Sequence, residues 1–224
     1  IKGLFALGEC NFSDHGANRL GASALMQGLS DGYFVIPYTM QNYLSHQIQV
    51  PHIDTKAPEF DAAEKAVQAE IDRIYNIKGD ESVDHIHKKL YHIMWDYVGM
   101  ARNEAGLKKA LAMLKDIRKE FNEHVRIPGD KEGLNTELDK AIHLRDFITM
   151  GELIAYDALE RKESCGGHFR EESQTEEGEA KRDDENFMYV ACWQYQGSDD
   201  VAPTLLKEPL DYQYIKVQVR NYKK

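Results

Sequence analysis

Hydrophobic and polar positions divide the 224-residue chain into three parts with different patterns. Residues 1–50 are largely apolar, and residues 51–165 carry apolar side chains at helical spacing. Residues 166–224 are polar and acidic at first and then aromatic and β-branched. Because a change of period indicates a change of element, we predict boundaries near residues 50 and 165.

The first part predicts one strand and one helix. Residues 1–9 are apolar with little alternation, which predicts a buried strand, and a polar loop follows at 11–21. Residues 22–37 are apolar all round, which is typical of a helix buried in something larger. Residues 45–58 contain two prolines and predict a linker.

The middle part predicts helices, because its apolar residues recur three and four positions apart. They are expected at about 55–76, with Pro58 in the first turn, and at about 82–102, 103–126 and 136–161. Asp54 or Thr55 can cap the first of these helices, and Asn103 can cap the third. Antiparallel helices joined by short turns form an up-and-down bundle, so the predicted fold is mainly α, an antiparallel three-helix bundle.

The last part predicts a small β hairpin. Residues 187–195 and 212–219 are rich in aromatic and β-branched residues, and we expect them to pair through a connection at 197–200. The acidic segment 171–185 has few apolar residues and predicts a surface loop or a partly disordered one.

Composition excludes some functions. A formal net charge of -10 with interleaved acids and bases argues against nucleic-acid binding. Three cysteines without a CxxC pair favour a reduced, cytoplasmic compartment over a disulfide framework. No apolar run approaches the roughly 18 residues of a membrane span. His85, His87 and His92 cannot converge from one helix, so no metal site is predicted.

The residues with the clearest chemistry are Gly8 and Glu9, followed by HGANRLG at 15–21. A carboxylate after a strand can accept hydrogen bonds from ribityl or ribose hydroxyls. A helix N-terminus can stabilise negative charge on a reduced flavin, and Arg19 offers a fork for a carboxylate. On spacing alone, a structural role for such a Gly-Glu pair or a lone Arg is the commoner one.

Taken together, these motifs resemble the flavoprotein subunits of succinate dehydrogenase and fumarate reductase. The segment ERKESCGGH at 160–168 is similar to that family's RKESRGAH, and RDDENF at 182–187 follows at a similar spacing. Residues 134–138 resemble the start of the family's last long helix. The matches occur in the family's order across nearly the whole chain.

The resemblance implies a carboxy-terminal portion of such a subunit. Residues 1–50 would be a remnant of the FAD-binding domain, 51–165 the helical bundle, and 166–224 an acidic loop and β tail. FAD would be contacted by Glu9 and by backbone groups at Ala24 and Leu25. Arg19 would hold fumarate or succinate against the flavin, and hydride would pass between flavin N5 and a dicarboxylate carbon.

The resemblance also implies partners and limits. The family works with an iron–sulfur subunit and a membrane cytochrome b anchor, on the cytoplasmic side of the inner membrane. Cys165 and Ala24 stand where the family usually has Arg and a polar residue. The chain does not begin with Met, and the family's Gly-rich nucleotide loop is not among these residues. We therefore expect a fragment that is inactive alone, without bound FAD, and prone to self-association.

Two other functions stay open at this point. L-aspartate oxidase shares the flavin loop and the bundle, although the acidic insert and β tail favour the respiratory enzymes. The bundle could also be a non-catalytic interaction module related to these enzymes only by ancestry.

Overall fold

The computed structural model describes residues 3–11, 22–131 and 133–218. Its helices are α1 (Ser23–Ser30), α2 (Ile36–Ser45), α3 (Pro58–Tyr75), α4 (Val83–Val98), α5 (Glu104–His124), α6 (Thr136–Glu160) and α7 (Asp184–Phe187). Its strands are β1 (Glu81–Ser82), β2 (Val125–Arg126), β3 (Tyr189–Gln194) and β4 (Thr204–Pro209). A 3-10 helical turn covers Gly8–Asn11, and a π-helical segment, Asp31–Val35, joins α1 to α2.

Helices α4, α5 and α6 pack against one another and enclose the core, and α3 packs on α6. The apolar stripes of these helices supply fully buried side chains, among them Ile86, Leu107, Leu114, Phe121, Leu144 and Ile148. The short parallel pair of β1 and β2 closes one end of the bundle. The predicted fold, a mainly α three-helix bundle with a small β tail, is therefore confirmed.

Side chains ahead of the bundle helices supply their first hydrogen bonds. Asn103 accepts from the Gly106 N–H at 2.8 Å, as the sequence predicts, and Asn135 accepts from the Glu137 and Leu138 N–H groups at 3.1 Å. The predicted cap of α3 is wrong. Ala57 occupies that position with no side-chain bond, because the Asp54 carboxylate accepts from the Lys56 N–H within its own turn.

The prediction of a buried strand at 1–9 is wrong for the residues described there. Residues 4–7 have no regular structure and are exposed, and the backbone turns at Gly3 (φ 84°) and Gly8 (φ 65°). Left-handed glycines at both ends interrupt the extended chain that a strand requires.

The helix predicted at 22–37 begins at Ser23 and continues through α2 to Ser45. Pro37 lies inside it, where it can donate no backbone hydrogen bond and its ring would crowd the preceding turn. Just before Pro37 the helix widens into the π-helical segment, in which the Ile36 N–H donates to the Asp31 carbonyl, five residues back. A wide turn therefore accommodates the proline without ending the helix.

The β tail forms with a different partner from the predicted one. Strand β3 pairs antiparallel with β4, from Tyr189 opposite Pro209 to Gln194 opposite Thr204, whereas residues 212–218 form no strand. Pairing with β4 closes a shorter loop, which costs less chain entropy. The predicted connection at 197–200 does lie between the two paired strands.

Polar contacts attach this hairpin to the bundle. The Trp193 indole N–H donates to Asp157 of α6 at 2.9 Å. The buried Arg118 of α5 donates to Glu152 at 2.6 Å and to Asp199, in the hairpin loop, at 3.0 Å. None of the helices in the described ranges is both long and apolar enough to cross a membrane.

Replacing Leu114 by Ala tests the core. Leu114 is fully buried in α5, so Leu114→Ala is expected to lower the free energy of unfolding by about 2–5 kcal/mol, from lost transfer energy and the cavity left behind. Urea unfolding followed by circular dichroism measures it. The control Leu134→Ala removes a loop side chain that is 98% exposed and is expected to change stability by less than about 0.5 kcal/mol. Equal losses in both variants would contradict the packing described here.

Candidate functional site

The structure describes three of the four residues that the sequence proposes for flavin or substrate contact. Glu9 lies in the exposed 3-10 turn, Ala24 is buried in the first turn of α1, and the Leu25 side chain is 71% exposed. Arg19, together with most of the loop that carries it, lies outside the described residues. Their assigned roles therefore remain predictions.

The 3-10 turn that carries Glu9 packs on one face of α1. Ala24, Gln27 and Asp31 share this face because they are spaced three and four residues apart, and all three are buried. The Gly8 N–H donates to the Asp31 carboxylate at 2.8 Å in a buried hydrogen bond. Glu9 and Ala24, far apart in sequence, thus belong to one local assembly.

The first turn of α1 exposes backbone donors toward the same region. Ala22, the N-cap residue, has a left-handed conformation (φ 64°), and its side chain makes no capping hydrogen bond. The first helical bond runs from the Met26 N–H to the Ala22 carbonyl at 3.0 Å, so the N–H groups of Ala24 and Leu25 lie ahead of it. Together with the helix dipole, they favour a negatively charged or electron-rich ligand.

Gln27 is the polar residue on this face that the sequence analysis missed. It is 5% exposed, and neither its amide nitrogen nor its amide oxygen has a hydrogen-bond partner among the described residues. Buried polar atoms of this kind normally have a partner. The signal in the sequence was two polar residues, Gln27 and Asp31, on the face of a mostly apolar helix.

The second motif, at 161–170, forms a buried polar network at the ends of α4 and α6. The Arg161 guanidinium donates to Glu163 at 2.8 Å and to the carbonyls of Phe187 and Tyr189 at 2.9 and 3.0 Å. Glu163 also accepts from the Asp183 N–H at 2.8 Å. This network joins α6 to the acidic segment and to the start of β3.

Arg170 and Ser164 complete the same network. The Arg170 guanidinium is buried and donates to the Ala158 and Leu159 carbonyls near the end of α6, where backbone acceptors and the dipole favour a cation. Ser164 and Arg170 exchange two further bonds, at 2.8 and 3.2 Å. Nearly every polar group is matched, so this loop works as a structural clamp.

His168 holds one defined tautomer in this clamp. Arg102 can only donate, so His168 Nδ1 accepts from it at 2.9 Å, and Nε2 carries the proton donated to the Arg161 carbonyl at 2.8 Å. Burial lowers the pKa of His168, and the charges of Arg102 and Arg170 lower it further. Burial also raises the pKa of the neighbouring Cys165 thiol. The neutral imidazole is therefore a structural bridge between the ends of α4 and α6.

The three histidines of α4 do not meet. His87 stacks near Phe147, His92 near Tyr91, and His85 lies beside Glu81. Across the described ranges, no group of three His, Cys, Asp or Glu side chains could hold a metal ion.

This chain is similar to one family model and to several known proteins. The family model described as fumarate reductase flavoprotein C-term matches residues 87–222. An uncharacterised FAD-dependent oxidoreductase of Methanocaldococcus jannaschii is 34% identical over 172 residues, 77% of this chain and 29% of its own length. The fumarate reductase flavoprotein subunit of Haemophilus influenzae is 30% identical over 84% of this chain and 29% of its own length.

Two solved structures align with most of this chain. A quinol–fumarate reductase with menaquinol molecules aligns over 96% of this chain and 35% of its own, with 28% identity and a TM-score of 0.77. The Sdh1 complex of Mycobacterium smegmatis aligns over 95% of this chain and 34% of its own, with 27% identity and a TM-score of 0.76. The fold of this chain is thus shared with these two proteins.

Because the family model covers more than half of the chain, the chain belongs to the fumarate reductase flavoprotein C-terminal family. It spans about three tenths of the length of the curated relatives it matches. The residues around α1 fit the FAD that this family implies. The N–H groups of Ala24 and Leu25 have no acceptor within α1, and the buried Gln27 amide has no partner among the described residues.

The His168 bridge gives stability a pH dependence. The pKa of His168 in the folded chain lies below its unfolded value of about 6.5, so folding favours the neutral ring. This contribution is present above the unfolded pKa and is lost as the pH falls below it, because the unfolded chain then binds the extra proton.

A glutamine at position 168 can keep both hydrogen bonds without titrating. Between about pH 7.5 and about pH 5.5, His168→Gln is therefore expected to lose less unfolding free energy than the unmodified chain. Urea unfolding at the two pH values measures the difference. The exposed His52 provides the control, since His52→Gln leaves the His168 contribution intact. If His168→Gln loses as much as the unmodified chain, the neutral bridge is wrong.

Proposed function

We propose that this chain contributes one wall of the FAD and dicarboxylate site of a fumarate reductase or succinate dehydrogenase flavoprotein subunit. Residues 1–50 belong to the FAD-binding domain, 51–165 to the helical domain, and 166–224 to an acidic loop and β tail. The observation that carries the proposal is the packing of the Glu9 turn on α1, which gathers a carboxylate, a helix N-terminus and a buried amide that has no partner among the described residues.

Each of these residues has a role suited to its chemistry. The Glu9 carboxylate accepts hydrogen bonds from FAD hydroxyls, and backbone N–H groups at Ala24 and Leu25 stabilise negative charge at the flavin ring. Arg19 binds one substrate carboxylate through its planar fork and orients the dicarboxylate. When bound, FAD supplies the two-electron redox chemistry that interconverts fumarate and succinate by hydride transfer.

This chain matches 29% of the length of the Haemophilus influenzae relative, and the proposal assigns the remaining walls of the site to the other part of such a subunit. The proposed partners of the complete subunit are an iron–sulfur subunit and a membrane cytochrome b anchor. They would hold the subunit at the cytoplasmic face of the inner membrane. The exposed apolar side chains of α1 and α2 are consistent with a surface that packs on further protein.

Flavin retention tests the division of the site. The 224-residue chain is expected to lose added FAD during gel filtration, because one wall provides too few contacts to hold a dinucleotide. The complete protein that contains the chain is expected to elute with a flavin absorbance band. Light scattering on the same column is expected to report self-association of the short chain. A flavin band that stays with the short chain would overturn this division.

The role of Arg19 is tested in the complete protein. Arg19→Lys removes the bidentate fork but keeps the charge, and it is expected to lower kcat/KM for fumarate by about tenfold or more, with flavin content unchanged. The control is Arg126→Lys, which changes an exposed arginine of β2 far along the chain. Equal rates for Arg19→Lys and the unmodified protein would show that Arg19 does not bind the substrate.

A second candidate reaction is oxidation of L-aspartate. The L-aspartate oxidase of Yersinia pestis is 28% identical over 75% of this chain and 28% of its own length. The same arginine fork would bind a carboxylate of that substrate. Turnover of L-aspartate without turnover of fumarate or succinate by the complete protein would favour this reaction over the first.

A further inference from the structure

The hydrogen bond between Gly8 and Asp31 joins two segments 23 residues apart. Gly8 is buried and has a φ of 65°, a conformation that L side chains rarely adopt. A Cβ at Gly8 would lie 3.5 Å from the Gly28 Cα, so the turn lies directly on the helix. The turn therefore contacts α1 at Gly28, and Asp31 supplies a buried polar contact between the two segments.

Regular helical spacing places Asp31 for this contact, on the face of α1 that also carries Ala24 and Gln27. Its own N–H bonds to the Gln27 and Gly28 carbonyls of α1, and it is the first residue of the π-helical segment. Its carboxylate is buried, where an acceptor needs a donor. The Gly8 N–H is that donor, and π-helical segments are frequent at functional sites.

We propose that Asp31 is a positioning residue for the flavin site: it holds the Gly8–Glu9 turn so that the Glu9 carboxylate faces the FAD hydroxyls. The inference rests on the proposed function and extends it to a residue that does not touch the cofactor. The face of α1 that carries Asp31, Gln27 and Ala24 then connects the Glu9 turn to the N-terminus of α1, which faces the flavin ring in this proposal.

The hydrogen bond itself is tested without any flavin. In the 224-residue chain, amide hydrogen exchange followed by NMR is expected to show a protected Gly8 N–H. Asp31→Ala is expected to speed that exchange by about tenfold or more, whereas Asp31→Asn, which keeps an acceptor oxygen, is expected to retain most of the protection. Equal exchange at Gly8 in the unmodified chain and in Asp31→Ala would overturn the proposal.

The positioning role is tested by FAD affinity in the complete protein, stripped of flavin and titrated with FAD. Asp31→Ala is expected to raise the dissociation constant by about tenfold, and Asp31→Asn by less than about threefold. Gly8→Ala, which strains the other partner, is expected to weaken binding as Asp31→Ala does. The matched control Asp61→Ala removes an exposed acid of α3 and is expected to leave the affinity unchanged.

The outcomes separate the two proposals. If the unmodified complete protein binds no FAD, the proposed function fails and the positioning role with it. If it binds FAD and Asp31→Ala binds equally well, although Gly8 has lost its protection, only the positioning role is overturned. Thermal unfolding of each short-chain variant identifies any general loss of folding. If Asp31→Ala is unfolded, the FAD affinities of Asp31→Asn and Gly8→Ala decide the result.

Discussion

Gly151 lets α6 approach its neighbours so closely that the bundle has little freedom in how it packs. A Cβ at this position would lie 3.1 Å from the Met94 sulfur and 3.6 Å from side-chain carbons of Leu90 and Leu114. Close packing of this kind fixes α4, α5 and α6 relative to one another. The clamp at 161–170, the hairpin and the short β1–β2 pair then attach to ends whose positions are already set.

The bundle differs from α1 and α2 in how fully its buried polar groups and apolar side chains are matched by partners. In the bundle, even buried charges such as Arg118, Glu163 and Arg170 have partners. On α1 and α2, by contrast, large apolar side chains are exposed, and the Gln27 amide has no partner among the described residues. The bundle therefore holds most of the matched buried groups, and the exposed apolar surface of α1 lies where we propose that FAD binds.

The sequence predicts what depends on local periodicity. The bundle helices follow from apolar spacing, and the cap at Asn103 follows from its residue type, because both are decided within a few residues. The partner of β3 was mispredicted, because 212–219 has the composition more typical of a strand, whereas 204–209 closes the shorter loop. The strand expected at 1–9 failed since its apolar pattern says nothing of the left-handed turns at Gly3 and Gly8.

The contacts that build the site could not be predicted from spacing. The Gly8–Asp31 bond spans 23 residues and depends on the turn at Gly8 packing on α1. The tautomer of His168 likewise depends on Arg102, which is 66 residues away and gave no signal of its own. Motif resemblance located Glu9 and α1, whereas only the fold shows which side chains support them.

A structure of the complete protein with bound FAD is the most direct test of the central claim, that this chain forms one wall of the flavin site. We expect a Glu9 carboxylate oxygen within about 3 Å of an FAD hydroxyl, and the N–H groups of Ala24 and Leu25 facing the flavin ring. FAD bound elsewhere, with Glu9 and the start of α1 in solvent, would contradict it.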